Sequence, residues 1–265
     1  MKDELVVKRL GWAGVQLSLG EHRLVIDLFE ERNAMAPFIE EVTGPLPAPD
    51  GPVETALVTH LHADHTDPVA LGRALTEDGL VLRPPPAPGD DWDRVATAAA
   101  EAGLAAGSST VITVEPWQTH EAGPFTATAV PASDGFGDPQ ISWVVEAAGR
   151  RILHAGDTIY HGAWWPIASR FKPFDAVFLP VNGATCDFPH RQPPSPFLAS
   201  MSPEQAAAAA AMLRAELAVP IHYDGIDVPG LYEPTPDAAA AFETAGAEHG
   251  IAVSVLEPGA ELAWR

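Results

Sequence analysis

The spacing of apolar and polar side chains predicts a chain that is rich in β-strands. Residues 15–19 alternate between apolar and polar side chains, and Gly20 and Glu21 turn the chain into the apolar segment 23–27, which predicts a hairpin. Residues 56–59 form a short, nearly all-apolar segment, as is typical of a strand that is buried on both faces. Further strands are predicted at 110–114, 125–130, 141–147, 151–155, 176–181, 219–223 and 251–256.

Helix start signals separate several of these strands. Asp67, as an N-cap, and Pro68, at the first helical position, predict a helix over 68–78. The segment 202–205 reads Ser-Pro-Glu-Gln, which is the pattern of a capping box and predicts a helix that runs to about Leu217. Two further helices are predicted at about 92–106 and 236–249.

The order of these elements predicts an α+β fold. The chain begins with strands, continues with strands mixed with helices, and closes with helix, strand, helix and strand. Two mixed sheets with helices on the outer faces accommodate this order in a single domain over residues 1–265. Two proline-rich segments, 84–91 and 187–197, are predicted to be loops within that domain.

Composition narrows the class of protein. The 265 residues, of which 46% are apolar, suffice for one large domain with a sizeable core. No apolar segment approaches the roughly 20 residues that a membrane span needs. Residues 1–12 also lack the pattern of a signal peptide. We therefore expect a cytoplasmic protein.

Charge and cysteine content restrict the partners and the metal chemistry. The formal net charge of −21 repels nucleic acids and anionic membranes, so neither is expected as a partner. The expected partner is a small-molecule substrate, and self-association into a homo-oligomer stays open. The single cysteine, Cys186, excludes an intramolecular disulfide and a cysteine-based zinc cluster. Any metal ion would have to be held by histidine and carboxylate groups.

A dense group of metal-ligating residue types follows the predicted buried strand. The segment reads 59-THLHADHTD-67, and it places His60, His62, Asp64 and His65 within six positions. Neutral imidazole and carboxylate groups bind Zn, Mn, Fe or Ni, and a loop with this spacing can fold round one or two ions. The alternative is a surface loop that is rich in histidine. Four ligand types directly after a buried strand favour the metal site.

This motif resembles the His-x-His-x-Asp-His signature of the metallo-β-lactamase fold superfamily. Other segments match that family in the expected order: the hairpin 10–27, the strand and Gly-Asp-Thr of 151–158, and 219–225, which resembles the segment with the closing metal histidine. The capped helix 202–217 resembles the branch that contains ascorbate-6-phosphate lactonase and other metal-dependent hydrolases. The resemblance implies an α+β four-layer αββα sandwich, in which two mixed sheets pack face to face between outer helices.

The resemblance also implies two adjacent metal positions that share one ligand. Carried over residue by residue, the first position takes His60 and His62, the second takes Asp64, His65 and His222, and Asp157 bridges the two. One or two divalent ions are therefore expected. Zn and Mn are the preferred identities, and Fe is a further option. Asp27, at the end of the opening hairpin, either ends its strand or accepts a hydrogen bond from a ligand histidine.

One expected ligand is missing from the first position. The family supplies another histidine after the strand equivalent to 125–130, but the loop 131–140 contains none and has Ser133 and Asp134 in that place. Three outcomes stay open. Asp134 replaces the histidine and makes a harder, oxygen-rich site, or a single ion sits in the second position, or another histidine substitutes. The candidates for that substitution are His154 and His161.

Further residues are expected near the site. His161, in the loop after Gly-Asp-Thr, Asn182, at the end of the strand 176–181, and His190 are candidate substrate contacts. The proline-rich loop 187–197 carries His190 and has the position of a substrate lid. Aromatic side chains predicted on the pocket rim are Phe136, Trp164, Trp165, Phe188 and Tyr223.

Hydrolysis by an activated water is the reaction that these residues favour. A bound divalent ion lowers the pKa of its water from about 16 to near 7; Asp157 could orient this water, and Asp64 could both ligate and accept a proton. The sequence has no Gly-x-Ser-x-Gly motif, so water is the expected nucleophile for an ester, lactone, amide or phosphoester. Two alternatives stay open: an Fe- or Mn-dependent redox or isomerase reaction on the same fold, and a degenerate, non-catalytic binding protein.

Overall fold

Two mixed β-sheets pack face to face in the computed structural model, which describes residues 4–30 and 46–264. Residues 1–3, 31–45 and 265 of the predicted single domain lie outside the described residues. The predicted opening hairpin and the predicted strands all lie within them, and each is found as a strand with bounds that differ by a few residues.

The first sheet combines an antiparallel half with a parallel half. In the described ranges its strands, in spatial order, are β1 (Val6–Gly11), β2 (Gly14–Leu19), β3 (His22–Ile26), β4 (Val53–Leu57), β5 (Leu75–Arg83) and β6 (Thr110–Thr113). β1, β2 and β3 pair antiparallel, whereas β3, β4, β5 and β6 pair parallel. β3 and β4 therefore end at the same edge, which places Asp27 beside the segment 59–67.

The second sheet is mixed in the same way. Its strands among the described residues are β7 (Thr119–Ala122), β8 (Phe125–Pro131), β9 (Ile141–Ala147), β10 (Arg150–His154), β11 (Phe174–Pro180), β13 (Ala215–Ile221) and β15 (Ala252–Val253), in the spatial order β15-β13-β11-β10-β9-β8-β7. The strands β15, β13, β11 and β10 pair parallel, and the remaining pairs are antiparallel. A separate short pair joins β12 (Thr185–Cys186) to β14 (Tyr232–Glu233).

Helices cover the outer face of each sheet. The helices are α1 (Pro68–Ala74), α2 (Ala98–Ala106), α3 (Trp164–Phe171), α4 (Pro203–Leu213) and α5 (Ala238–Glu248). Leu71 of α1 and Leu104 of α2 pack against the first sheet. Trp164, Leu213 and Phe242, one from each of the other helices, pack against the second sheet. This arrangement confirms the predicted α+β four-layer αββα sandwich.

Three apolar clusters hold the layers together. The cluster between the sheets contains Phe125, Trp143 and Phe178, all fully buried. Burial of one large apolar side chain stabilises a fold by about 1.5–3 kcal/mol. Neighbouring residues of β4 serve different clusters, because Ala56 faces the outer helices and Leu57 faces the other sheet. The continuous apolar character of 56–59 thus follows from burial on both faces.

The helix predicted over 68–78 is shorter than expected. Asp67 accepts hydrogen bonds from the backbone of Val69 and Ala70, so the predicted N-cap is confirmed. α1 ends at Ala74, because the following residues pair with β4 as strand β5. This strand pairing outweighs the local helix preference of the segment, although its two acidic residues stay exposed.

The helix predicted over 202–217 also ends early. Ser202 and Gln205 form the predicted capping box. Arg214 then takes the left-handed conformation with φ 52°, and Ala215 begins β13, which pairs with β11. The early turn gives β13 a length of seven residues and carries the chain directly to His222.

Two further element bounds differ from the prediction, and one helix was not predicted. The helix predicted from residue 92 begins at Ala98. Residues 164–171 form α3, although the segment 159–165 was expected to be a loop. The last strand covers only Ala252–Val253 of the predicted 251–256. Within the described part of the chain, no helix combines the length and the apolar character that crossing a membrane requires.

We predict that Ser202→Ala destabilises the fold. The substitution removes the side-chain acceptor of the Gln205 backbone N–H at the start of α4, which costs about 1 kcal/mol. Urea unfolding should show this loss in the midpoint, without a change in slope. Ser108→Ala, in an exposed bend, is the matched control and should leave the midpoint in place. Equal midpoints for the Ser202 variant and the wild type would contradict the role of the cap.

Candidate metal centre and adjoining cavity

Strands of both sheets end at one edge of the sandwich, and the residues after them meet there. Asp27 follows β3, the segment 59–67 follows β4, Asp134 follows β8, Asp157 follows β10 and His222 follows β13. The carboxyl ends of parallel strands are a common place for ligands. Strand order thus brings together side chains that are far apart in the sequence.

One group of potential ligands joins both sheets. His60, His62, Asp134 and Asp157 each offer one atom, and these atoms all lie within 4.8 Å of one another. The Nε2 atom of His60 lies 3.6 Å from Asp157 Oδ1. The Nδ1 atom of His62 lies 4.0 Å from Asp134 Oδ1. These separations suit atoms that share one ion and are too long for direct hydrogen bonds.

A second group lies directly beside the first. His65, Asp157 and His222 form one set of atoms within 4.8 Å, and His60, Asp64 and His65 form another. The Nε2 atom of His222 lies 3.4 Å from Asp64 Oδ2 and 3.9 Å from Asp157 Oδ2. Asp157 therefore faces the first group with one oxygen and the second group with the other, as expected for a bridging ligand.

The residues fit a metal centre because their facing atoms are buried and unpaired. The Nε2 atoms of His60, His65 and His222 and the Oδ1 atom of Asp134 have no hydrogen-bond partner among the described residues. Leaving a buried polar atom unpaired costs about 1–3 kcal/mol. Lone pairs of imidazole and carboxylate that converge without donors are the arrangement that a divalent cation satisfies.

Asp134 lies beside His62, where the missing histidine was expected. Its Oδ2 atom accepts hydrogen bonds from the backbone of Phe136, at 2.8 Å, and of Asp138, at 3.0 Å. These two bonds fix the carboxylate, so that Oδ1 points towards His62. The geometry favours the first of the three predicted outcomes, in which a carboxylate completes the first position.

The two substitute histidines lie elsewhere. His154 is fully buried, its Nε2 atom bonds the carbonyl of Ala13 at 2.7 Å, and its Nδ1 atom accepts from the backbone of Gly156. His161 accepts from the backbone of Ala163 and stacks on Trp164, with ring centroids 4.6 Å apart. The structure gives both rings structural partners and brings neither into the groups of potential ligands.

Asp27 contacts the potential ligand His65 on the side of its ring that faces away from the centre. Its Oδ2 atom lies 2.8 Å from His65 Nδ1, and the backbone and hydroxyl of Thr59 donate to the same carboxylate. The ring of His65 is thereby turned so that Nε2 faces the centre. Of the two alternatives for Asp27, the structure supports the hydrogen bond to a ligand histidine. Such partners typically affect metal affinity by about 10–100-fold.

The sequence did not indicate two further supporting residues, Asp138 and Gln140. Asp138 Oδ2 lies 2.9 Å from His62 Nε2, so Nδ1 of that ring faces the centre. The side-chain amide of Gln140 donates to Asp157 Oδ1 at 2.7 Å. Both residues lie in the loop 131–140, in which the sequence pointed to Asp134 as the candidate ligand instead. Their polarity was the available signal.

Trp12 is the third supporting residue that was missed. Its indole N–H donates to Asp64 Oδ2 at 3.0 Å, and its ring lies 4.1 Å from that of His222. The backbone N–H of His222 donates to the Trp12 carbonyl. Trp12 takes a positive φ of 49° in the tight turn between β1 and β2. A tryptophan in a hairpin turn carries no sequence signal of a role at the site.

Neighbouring carboxylates raise the pKa values of two histidines in the cluster. Burial disfavours protonation of His62, but the hydrogen bond to Asp138 and the charge of Asp134 outweigh it and raise the pKa of His62 to about 9. Burial is also outweighed at His65, where the carboxylates of Asp64 and Asp27 raise the pKa to about 10. Without metal, both rings are therefore protonated on both nitrogens and positively charged at neutral pH.

The pKa values of His60 and Asp64 are lowered, and that of Asp134 is raised. Burial and the nearby charges of His65 and His62 hold the pKa of His60 well below its usual range. At Asp64, the nearby charges of His65 and His222 outweigh burial and hold the pKa well below its usual range. Burial raises the pKa of Asp134 to about 6. At neutral pH His60 is therefore neutral and Asp64 is ionised, as metal ligands of these types must be.

A cavity of about 400 Å³ opens onto the centre. Potential ligands on its floor are His62, Asp64, Asp157 and His222. Its walls are mostly apolar, with Val95 and Ala99 on one side and Phe136, Phe188, Ile226 and Tyr232 on the others. Arg191 lies on the rim and donates to Asp138 Oδ2 at 3.1 Å. This bond holds the proline-rich loop 187–197 beside the cavity, where a substrate lid was predicted.

Of the three residues predicted to contact substrate, one lines the cavity and two do not. His190 lines the cavity. Asn182 is buried behind the wall, where its amide group bonds Tyr232 and Ser200 instead of facing the cavity. His161 is not among the residues that line it.

The predicted aromatic rim is only partly found. Phe136 and Phe188 line the cavity. Trp164 is buried with the outer helices, and Trp165 is 62% exposed. Tyr223 lies under the guanidinium of Arg9. Trp164 and Trp165 belong to α3, which was not predicted, and the helix turns them away from the centre.

The chain is similar in sequence to proteins named as metal-dependent hydrolases. The model of the Beta-lactamase superfamily domain matches residues 22–223. A UPF0173 metal-dependent hydrolase from Deinococcus radiodurans is 29% identical over 266 residues, which is 96% of this chain and 97% of that protein. A UPF0173 metal-dependent hydrolase from Thermus thermophilus is 30% identical over 265 residues, which is 97% of each chain.

Structural comparison finds the same fold in a solved structure. CmlA, a diiron beta-hydroxylase from Streptomyces venezuelae, superposes with a TM-score of 0.72 and 16% identity over 99% of this chain and 54% of its own. At this identity the likeness concerns the fold. The match to the family model covers most of the chain and includes the segment 59–67, Asp134, Asp157 and His222. The chain belongs to the beta-lactamase superfamily, among the UPF0173 metal-dependent hydrolases.

Proposed function

We propose that the chain hydrolyses an acyl bond, in an ester, lactone or amide, of a small molecule at a centre of two divalent ions. The observation that carries this proposal is the convergence of unpaired histidine nitrogens and a carboxylate oxygen beside an apolar cavity. Apolar walls with a few polar groups suit a substrate with an apolar body and one reactive group.

The two groups of atoms suggest how the ions would be held. His60, His62 and Asp134 would hold one ion, Asp64, His65 and His222 would hold the other, and Asp157 would bind both. When bound, divalent ions there would supply an activated water and would polarise the substrate carbonyl. Asp157, fixed by the amide of Gln140, would orient this water.

The pKa values refine the proposed roles of the carboxylates. The pKa of Asp64 is held well below its usual range, chiefly because the charge of His65 and the contacts of His222 outweigh burial. Asp64 is therefore better suited to ligation than to accepting a proton. Burial raises the pKa of Asp134 to about 6 in the metal-free chain, and an ion on Oδ1 would hold this carboxylate ionised, so Asp134 also suits ligation.

The residues around the cavity favour a carbonyl substrate over a phosphoester. Arg191 is the only lysine or arginine that lines the cavity in the described chain, and Asp138 already accepts from it. The floor carries the carboxylates of Asp64 and Asp157. Bound ions would neutralise these carboxylates, so the preference depends on the lining. A phosphoester would meet no lysine or arginine of the described chain there besides Arg191, whereas the mostly apolar walls suit a neutral ester, lactone or amide.

The ligand chemistry bears on the identity of the ions. Each proposed position combines two histidine nitrogens with two carboxylates, so Zn²⁺ and Mn²⁺ are the proposed ions, with Fe²⁺ as a further option. Asp134 makes the first position harder than a position with a third imidazole. This feature is also what keeps the redox alternative open, because oxygen-rich sites suit iron.

Metal content tests the proposal directly. Elemental analysis of the wild-type chain, supplemented with Mn²⁺ or Zn²⁺, is expected to find about two ions per chain, and Asp134→Ala is expected to lose about one of them. His249→Ala, at an exposed helix end, is the control and should keep both. Absence of transition metal from the supplemented wild type would contradict the proposed function. Turnover that requires iron and oxygen would support the redox alternative instead.

We predict that Asp134→His changes the metal preference. Replacing a hard oxygen by an imidazole nitrogen should raise the affinity for Zn²⁺ relative to Mn²⁺ by about tenfold. Competition titrations with the two ions measure this ratio in the wild type and the variant. An unchanged ratio would show that Asp134 does not bind the ion.

Metal affinity should also rise with pH. The raised pKa values of His62, about 9, and His65, about 10, mean that both rings are protonated at neutral pH in the metal-free chain, and an ion must displace those protons. The affinity should therefore increase from pH 6 and level off above about 9–10. Calorimetry in buffers of different ionisation enthalpy should detect proton release at pH 7. An affinity that is independent of pH would contradict the assignment of these histidines.

A further inference from the structure

Tyr232 occupies a wall of the cavity that the metal centre does not use. It belongs to β14, pairs with Cys186 of β12 and is 8% exposed. The same cavity is lined by Asp64, Asp157 and His222 on its floor. The phenol therefore shares a confined space with the proposed metal ligands, without being one of them.

A buried chain of hydrogen bonds ends on the Tyr232 hydroxyl. The hydroxyl of Ser200 donates to Asn182 Oδ1 at 2.5 Å, and the amide Nδ2 of Asn182 donates to Tyr232 Oη at 2.5 Å. Asn182 is 1% exposed, and Ser200 is 2% exposed. Because Ser200 donates to the oxygen of the amide, the nitrogen of Asn182 is turned towards Tyr232.

This chain leaves the phenol hydrogen available. The oxygen of Tyr232 accepts from Asn182, and no acceptor for its own hydrogen is found in the described part of the chain. A buried donor without an acceptor is unfavourable, so the position favours a ligand that brings an oxygen atom. Burial and the neighbouring groups of Cys186 and Asp64 raise the pKa of Tyr232 well above its usual range, which keeps the hydrogen on the phenol.

We propose that Tyr232 is a catalytic residue that donates a hydrogen bond to the substrate carbonyl oxygen while this oxygen gains negative charge, and that Asn182 is its positioning residue. The proposal rests on the acyl hydrolysis proposed above. As the water oxygen bonds to the carbonyl carbon, the π electron pair moves to the carbonyl oxygen, which accepts the hydrogen bond without taking the proton. The pair then returns, the bond to the leaving oxygen or nitrogen breaks, and the proton released by the water goes to that leaving atom.

Donors of this kind act where charge develops in the transition state, so their removal lowers kcat more than it raises KM. The proposal also gives Asn182 a function that differs from the predicted contact with substrate. Its amide acts through the phenol, since it lies behind the cavity wall.

The test compares three variants with 4-nitrophenyl acetate as the probe ester and with metal content measured on the same samples. Tyr232→Phe keeps the ring and removes the hydroxyl, and it should lower kcat by about 100-fold at unchanged metal content, with KM nearly unchanged. Tyr160→Phe is the matched control, because Tyr160 does not line the cavity, and it should retain wild-type kinetics.

Asn182→Asp separates the two parts of the proposal. An aspartate offers only acceptors, so the phenol hydrogen would turn towards it and away from the cavity, and kcat should fall by at least about tenfold while the ring stays in place. Full activity of Asn182→Asp would show that Asn182 does not position the phenol. If this variant fails to fold, Tyr232→Phe still decides the catalytic role.

The outcomes distinguish this inference from the proposed function. Wild-type kcat in Tyr232→Phe would overturn the inference and leave the hydrolase proposal intact. Loss of metal together with activity in Tyr232→Phe would also overturn it, because the phenol would then support the centre itself. Absence of metal-dependent ester turnover in the wild type would count against acyl hydrolysis and with it against a donor that serves this reaction.

Discussion

The structure depends on a surplus of buried hydrogen-bond acceptors at one edge of its two sheets. Three histidine nitrogens and a carboxylate oxygen face one another there without donors among the described residues. Each such atom would cost about 1–3 kcal/mol if it stayed unpaired, which is a large fraction of the stability of a typical domain. Divalent cations remove that cost. In the metal-free chain, protons on His62 and His65 offset part of it, because neighbouring carboxylates raise the pKa values of these rings to about 9 and about 10.

The rest of the fold prevents those side chains from rotating out of the centre. The three apolar clusters fix the strand ends, and a partner outside the centre orients each of several potential ligands. Hydrogen bonds between Asp27 and His65, between Asp138 and His62 and between Gln140 and Asp157 fix the orientations of these potential ligands. These partners come from loops at strand ends, so the same packing that stabilises the sandwich also determines the geometry of the centre. A site supported in this way holds its potential ligands in defined orientations, and a cavity with mostly apolar walls adjoins it.

Much of this centre could be predicted from the sequence, because the segment 59–67 places four ligand types next to a strand whose apolar character is unmistakable. Asp157 and His222 could be found only through the family resemblance, since neither has a local signal of its own. Asp138, Gln140 and Trp12 were not found, because each acts through a contact that depends on which strands pair. Asn182 was placed in the right region, but whether its amide faces the cavity depends on packing. The predicted ends of α1 and α4 were wrong for a similar reason, since strand pairing overrode local helix signals.

A crystal structure of the chain grown with Mn²⁺, with anomalous scattering recorded at the manganese edge, tests the central claim most directly. The account predicts two adjacent anomalous peaks, both bound by Asp157, with Asp134 Oδ1 at about 2.0–2.3 Å from the peak that His60 and His62 also contact. A single peak held by Asp64, His65 and His222, with Asp134 out of bonding range, would contradict the claim that the carboxylate replaces the histidine. Absence of any peak at this edge would contradict the account as a whole.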